Sequence, residues 1–231
     1  MKSRLRYTLL LAVKYLTRVF YRHEMVWLHP EPEPPWDDLR VVAILNHTSL
    51  YEWLFTGLAP NHLLKSIAYR AIIPAADVTM KRAWIGTFLS GFAPDVISIT
   101  REKDETWAEV LRRVGPGRIV VILPEGRMKR ADGRDKYGRP MTVRGGIADI
   151  LRGIDGGRML LAYSGGLHHI QVPGQGAPKL FKPVRMAVEL VDIDAYKQAL
   201  GGGDNRGAFK KAVVDDLARR RDLHCPPLGR D

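Results

Sequence analysis

Apolar residues recur along this chain in two spacings. From Ser3 to Tyr21, the residues Leu5, Leu9, Ala12, Val13, Leu16 and Phe20 fall three and four apart, as on one face of a helix. Arg4, Lys14 and Arg18 lie mainly off that face. Farther on, the apolar positions gather into short runs: Arg40–Leu45, Asp95–Thr100, Arg118–Leu123, Met159–Tyr163 and Val184–Val191. These predict strands, with Arg40–Leu45 and Arg118–Leu123 covered on both faces. A further short strand is expected at Ile67–Ala71. Helices are expected over Leu50–Leu58, Val78–Phe92, Asp104–Val114, Val143–Ile154 and Arg206–Arg221. In the third of these, Trp107, Val110, Leu111 and Val114 share a face.

Pro30, Pro32, Pro34 and Pro35 make His29–Trp36 extended and stiff. Residues 129–142 read as a polar loop and Gly201–Gly203 as a linker. Strands alternating with helices predict an α/β fold: a central, mostly parallel or mixed sheet flanked by helices, with an amphipathic helix at the N-terminus. The expected division is an N-terminal helix within 1–28, a Pro-rich linker at 29–39, an α/β domain at 40–200, and a basic helix and tail at 201–231.

Composition narrows the possibilities. A chain of 231 residues, 45% hydrophobic, can bury its own core. A lone cysteine, Cys225, excludes an internal disulfide framework and a Cys-rich zinc site. Thirty-six Lys and Arg against 25 Asp and Glu give a charge of +11, which favours polyanions: nucleic acid, anionic headgroups or phosphorylated substrates. No nucleic-acid-binding motif accompanies that charge. No segment is apolar over the roughly 18–20 residues a spanning helix needs. The basic, striped N-terminal helix suits an anionic membrane surface, and suits equally well docking on its own domain. Arg127–Arg144 carries seven basic residues against two acidic; a carrier-protein site, a headgroup site and a solvated loop all fit it. Arg219–Arg221 reads as a solvated helix face. His168 and His169, pointing apart on a strand, read as a surface pair, and no metal site is expected.

In an open α/β sheet, sites collect where strands end. Two buried strands run directly into polar residues. After Leu45 comes Asn46-His47-Thr48-Ser49-Leu50-Tyr51-Glu52. Residues five apart within one α-helix point about 140° apart, so His47 meets Glu52 only from a turn outside the helix. A carboxylate on one imidazole nitrogen fixes the tautomer and leaves the other as a general base. A Glu near a helix start is also favoured by the dipole alone. After Leu123 comes Pro124-Glu125-Gly126-Arg127.

Together and in this order, with a strand ending in Arg101 between them, these segments resemble the glycerolipid acyltransferase family. Its first block is Asn-His, four residues, then Asp, matched by Asn46, His47 and Glu52. Its third, Phe-Pro-Glu-Gly-Thr-Arg, is matched by Leu123-Pro124-Glu125-Gly126-Arg127-Met128. The resemblance covers residues 40–170, and two departures stand out: Glu52 replaces the Asp, and Arg127-Met128 replaces Thr-Arg.

The resemblance implies acyl transfer from a thioester, acyl-CoA or acyl-carrier protein, to the hydroxyl of a lysophospholipid or glycerol-phosphate-type acceptor. No tightly bound cofactor is implied. His47 would be the base and Glu52 its orienting acid, with turn N–H groups meeting the oxyanion. Lys81, Arg101, Glu125, Gly126 and Arg127 would bind the acceptor, and the enzyme would sit on the cytoplasmic face of a membrane as a peripheral or monotopic protein. Two alternatives use the same features: a thioesterase that activates water, and a non-enzymatic basic binder of membrane surfaces.

Overall fold

The computed structural model describes residues 2–81, 83–100, 104–172, 176–202 and 205–227. Helix α1 (Lys2–Phe20) leads into strand β1 (Arg22–Trp27) and, after the proline-rich stretch, β2 (Leu39–Leu45). A 3-10 helix (Glu52–Gly57), α2 (Asn61–Arg70), β3 (Ala71–Ala76), α3 (Asp77–Met80), α4 (Ala83–Phe92) and β4 (Asp95–Ile99) follow. Next come α5 (Glu105–Arg113), β5 (Ile119–Ile122), α6 (Gly146–Arg152), β6 (Arg158–Ser164), β7 (Pro183–Asp192), α7 (Ile193–Ala199) and α8 (Arg206–His224).

Seven strands form one sheet in the order β1-β7-β6-β2-β5-β3-β4. All neighbours are parallel except β6 and β7, so the sheet is mixed, as the alternation of elements predicts. β2 lies between β6 and β5, and all three run the same way. The polar segments that follow them therefore emerge side by side at one end of the sheet.

Both faces are covered. On one face α6 and α8 bury Ile147, Ile150, Leu151, Phe209, Val213 and Leu217 against Val41, Ala43, Val120 and Leu161. The spacing of Phe209, Val213 and Leu217 is one helical stripe. On the other face Trp36, Leu54, Phe55, Leu58 and Leu63 cover Val42, Leu160 and Ala162. α1 docks outside this second layer, placing Leu10 and Val13 with Leu64, Ala68 and Phe92. The proline-rich stretch is pinned to the domain: Trp36 is buried, donates its indole N–H to the Pro32 carbonyl at 3.2 Å and packs edge-on against Trp27.

Two elements are unforeseen and two expectations change. The N-terminal helix ends at Phe20, as its spacing predicts, but residues 22–27, given no element of their own by the sequence pattern, are an edge strand parallel to β7, with alternate residues turned partly inward. Ile67–Arg70 completes α2, because Leu63, Leu64 and Ala68 bury a helical face, and the strand begins only at Ala71. Residues 52–57 form a 3-10 rather than an α-helix, with Leu54 N–H bonded to the Tyr51 carbonyl and Leu58 N–H to that of Phe55. α7, not foreseen, starts where the Asp192 carboxylate accepts the Ala195 N–H at 2.8 Å.

β1 brings His23 under the 3-10 helix, where its Nε2 lies 3.0 Å from the Leu54 carbonyl. Gly57 makes this possible, since a Cβ there would stand 2.1 Å from that nitrogen. Burial lowers the His23 pKa despite its backbone hydrogen bonds. The folded state therefore holds a proton on His23 more weakly than the unfolded chain. Its contribution to stability is full above about pH 6.5 and is lost as pH falls toward the lowered folded value. His62 and His168, also lowered chiefly by burial, add in the same direction. Thermal unfolding followed between pH 7.5 and pH 5 should show stability declining below about 6.5, with a shallower decline in His23→Gln. An acid limb unchanged in that variant would assign the effect elsewhere.

Candidate active site

The turn after β2 is built by polar residues of its neighbours. Asn46 has a left-handed backbone, φ 65°, and its Nδ2 donates to the Ser164 carbonyl at the end of β6, at 2.8 Å. Asn tolerates this conformation better than most residues, and it turns the chain sharply out of the sheet. His47 is then held through its backbone. Its N–H donates to Glu125 Oε2 at 2.7 Å, and its carbonyl accepts from the Lys129 N–H at 2.7 Å. Thr48 Oγ1 accepts the Leu167 N–H at 2.8 Å. The segments after β2, β5 and β6 are thus bonded into one unit.

His47 Nδ1 lies 2.5 Å from Glu52 Oε1, and the two side chains are 14% and 12% exposed. The same oxygen accepts the Thr48 N–H at 3.2 Å. Glu52 opens the 3-10 helix while His47 stays in the preceding turn, which is how residues five apart meet. Because carboxylates only accept, Nδ1 carries the hydrogen of this contact and Nε2 the lone pair, an assignment that follows from the partner. The longer Glu thus makes the contact implied for an Asp.

Glu125 is 1% exposed and both its oxygens are engaged. Oε2 takes the His47 N–H, and Oε1 accepts Arg221 Nη1 at 3.1 Å. Arg221 comes from the last turn of α8, is 13% exposed and also donates to the Met141 carbonyl at 3.2 Å. Burial works against its charge, yet hydrogen bonds to Asp222 and Glu125 hold its pKa above the ordinary arginine value. Arg220, beside it, pairs with buried Glu189 and with Asp216, both at 2.7 Å. Arg220 and Arg221 are therefore not the solvated face expected of them, because α8 packs its C-terminal turn against the sheet. Gly126 is left-handed, φ 60°, and its N–H closes the turn onto the Leu123 carbonyl at 2.9 Å.

Of the cations expected on an acceptor, Arg127 and Lys81 are paired with other carboxylates. Arg127 Nη1 is 2.6 Å from Asp135, which is almost wholly buried and also accepts the N–H groups of Tyr137 and Arg139. Arg127 thereby shapes the 129–142 loop. Lys81 pairs with Asp77 at 3.2 Å on an exposed helical surface, and no described hydrogen bond or ion pair ties it to His47 or Glu125. Arg101 lies outside the described residues. The cation at the His47 turn is Lys129, whose Nζ is 3.4 Å from Asn46 Oδ1. Its carbonyl in turn meets His168 Nε2 at 2.8 Å, while His169 Nε2 meets the Pro183 carbonyl at 2.7 Å. The two histidines thus sit partly buried in a turn instead of on a strand surface.

Three turn N–H groups are already occupied: His47 by Glu125, Thr48 by Glu52, and Tyr51 by Ser49 Oγ at 3.1 Å. They are not waiting for an oxyanion. Burial, reinforced by the charge of Glu125, pushes the Cys225 thiol up to about 12, so it is no nucleophile at neutral pH. Glu52 also lines an apolar cavity of about 170 Å³, together with Met25, Trp27, Phe55, Leu63, Ile73 and Ala162 among others.

Comparison with known proteins gives a family and a fold likeness. The acyltransferase family matches residues 31–156. A search of curated proteins finds no match. Among solved structures, the 1-acyl-sn-glycerophosphate acyltransferase PlsC of Thermotoga maritima superposes with a TM-score of 0.57 at 17% identity, covering 96% of this chain and 83% of that one. At that identity the likeness is one of fold.

Glu125 is the buried acceptor for two charged or constrained donors. Glu125→Ala should destabilise the protein by about 3 kcal/mol in chemical denaturation, because it takes away the buried carboxylate facing Arg221 Nη1 and leaves the His47 N–H without its acceptor. A loss below about 0.5 kcal/mol, the range of ordinary surface substitutions, would contradict the geometry.

Proposed function

The chain belongs to the acyltransferase family, and from that premise we propose that it moves a fatty acyl group from a thioester, acyl-CoA or an acyl-carrier protein, to the hydroxyl of a lysophospholipid or glycerol-phosphate-type acceptor. The observation that carries this reading is the 2.5 Å contact of His47 Nδ1 with Glu52, made beside an apolar cavity that Glu52 itself helps to line. An acid-supported imidazole and a greasy recess are what transfer of a long acyl chain requires.

In this reading the acceptor hydroxyl gives its proton to His47 Nε2 as its oxygen attacks the thioester carbonyl. The imidazolium is stabilised by Glu52. The tetrahedral intermediate then expels the thiolate, which takes the proton back from His47, leaving ester and free thiol. No acyl-enzyme is formed, consistent with the un-ionised Cys225. Lys129, held at the His47 turn, is the cation assigned to the anionic substrate groups. Arg127 holds the loop that carries Lys129.

The partner assigned to the outer surface is an anionic membrane, bound at its face without being crossed. Among the described residues no helix is long and apolar enough to cross a bilayer. α1 has two apolar faces. Leu10 and Val13 dock inward, while Leu5 (72% exposed), Leu9, Leu16 and Val19 (67% exposed) face outward. Phe181, also exposed, extends this outer stripe: its N–H bonds the Phe20 carbonyl at 2.7 Å and the two rings lie 6.3 Å apart. Lys179, Lys182 and Arg18 flank the stripe in sequence, a combination that suits anionic headgroups.

With a long-chain acyl thioester and a lysolipid panel, His47→Ala should lose on the order of 10²–10⁴-fold in kcat. Turnover near wild type in that variant would reject the base assignment. Replacing Val19 and Phe181 with Asp should weaken binding to vesicles containing anionic phospholipid by about tenfold. Equal sedimentation of variant and wild type with such vesicles would reject the surface assignment.

A further inference from the structure

α8 lies beyond residues 31–156, where the acyltransferase family matches, yet its last turn reaches the centre of the site. Arg221 bonds Glu125 Oε1, and the other oxygen of that carboxylate holds the His47 N–H at 2.7 Å. The tail after α8 turns onto the same end of the sheet: the Cys225 thiol feels the charge of Glu125, and the Pro226 carbonyl sits where a Cβ on Gly165 would meet it at 3.4 Å. A carboxylate that is 1% exposed needs a counter-ion to remain charged and in place. Here that counter-ion comes from α8 rather than from the segments that carry His47 and Glu52.

We infer that Arg221 is a positioning residue for acyl transfer: it fixes Glu125, Glu125 fixes the His47 backbone, and the His47 ring is thereby delivered to Glu52. The inference rests on the acyl-transfer reading for its kinetic consequence, but its geometric consequence does not. Arg221 touches no reacting atom in this scheme, so its loss slows the chemical step and leaves acceptor binding alone. The effect also runs through Glu125, so neutralising Glu125 removes most of it. Glu125→Gln keeps an amide oxygen to accept the His47 N–H and needs no counter-ion.

The test is a double-mutant cycle in the full-length protein with Arg221→Met, Glu125→Gln and the double variant, assayed on a long-chain thioester and a lysolipid. Arg221→Met is expected to lower kcat about thirtyfold with the acceptor KM within about twofold, whereas in the Glu125→Gln background it should cost less than about threefold. Arg221→Lys, which keeps the charge, should recover most of the loss. Additive losses in the cycle, or a loss expressed mainly in acceptor KM, would overturn the inference. The double variant has neither member of the buried pair, so it keeps the test readable where Arg221→Met alone does not fold: activity about thirtyfold below Glu125→Gln would again overturn it.

NMR of the imidazole protons separates this inference from the function it serves. A protected, downfield Nδ1 proton of His47 is expected in the wild type, in Arg221→Lys and in Glu125→Gln/Arg221→Met, and lost or exchange-broadened in Arg221→Met. Its persistence unchanged in Arg221→Met, or, where that variant does not fold, its loss in Glu125→Gln/Arg221→Met, overturns the positioning role even if no thioester is ever consumed. Absence of wild-type turnover with the proton behaviour intact would instead overturn the acyl-transfer reading.

Discussion

A carboxylate sealed from solvent decides where the imidazole sits. Glu125 is 1% exposed, out of reach of bulk water, and its two oxygens are met by groups far apart in the sequence: the His47 N–H after β2 and the Arg221 guanidinium at the end of α8. Removing either partner leaves a buried charge under-satisfied, and that cost makes the arrangement specific. The acid that touches the imidazole, Glu52, is a separate group with a separate task. One glutamate supports the backbone, the other the ring.

The sheet explains why these groups meet. β2 lies between β5 and β6, all parallel, so three successive segments of distant sequence leave the sheet together. Asn46 and Thr48 tie the first segment to the third, and Lys129 and Glu125 tie it to the second. The hydrogen-bonded end of the sheet carries the polar part of the site. The layer of the 3-10 helix and α2 leaves an apolar cavity over Val42, Val121 and Ala162. Chemistry that joins a polar headgroup to a long hydrocarbon chain calls for such a division.

Much of this was legible in the chain. The runs around Val42, Val120 and Leu160 are short and uniformly apolar, as central strands are, and the polar segments after the first two carry the candidate residues His47, Glu52 and Glu125. The misses have physical reasons. Arg22–Trp27 reads Arg-His-Glu-Met-Val-Trp, three polar residues then three apolar ones, so the alternation of exposed and half-buried positions at this sheet edge has no counterpart in the residue types. Ile67–Ala71 straddles the end of α2 and the start of β3, where β-branched content and helical spacing point different ways. Arg127 drew attention because it follows Glu125 directly, but Asp135, eight residues on, binds it. Arg221 stands 96 residues from Glu125, and no local spacing could reveal that pair. Arg101, expected to meet the acceptor, lies outside the described residues.

The central claim is that the supported imidazole moves an acyl group onto an alcohol rather than onto water. Its most direct measurement is a mass balance on the wild-type enzyme, with thioester consumed and products identified by mass spectrometry, in the presence and absence of lysolipid. The account predicts one new ester for each thioester lost and little loss without acceptor. Free fatty acid released at the same rate whether or not lysolipid is present would contradict it.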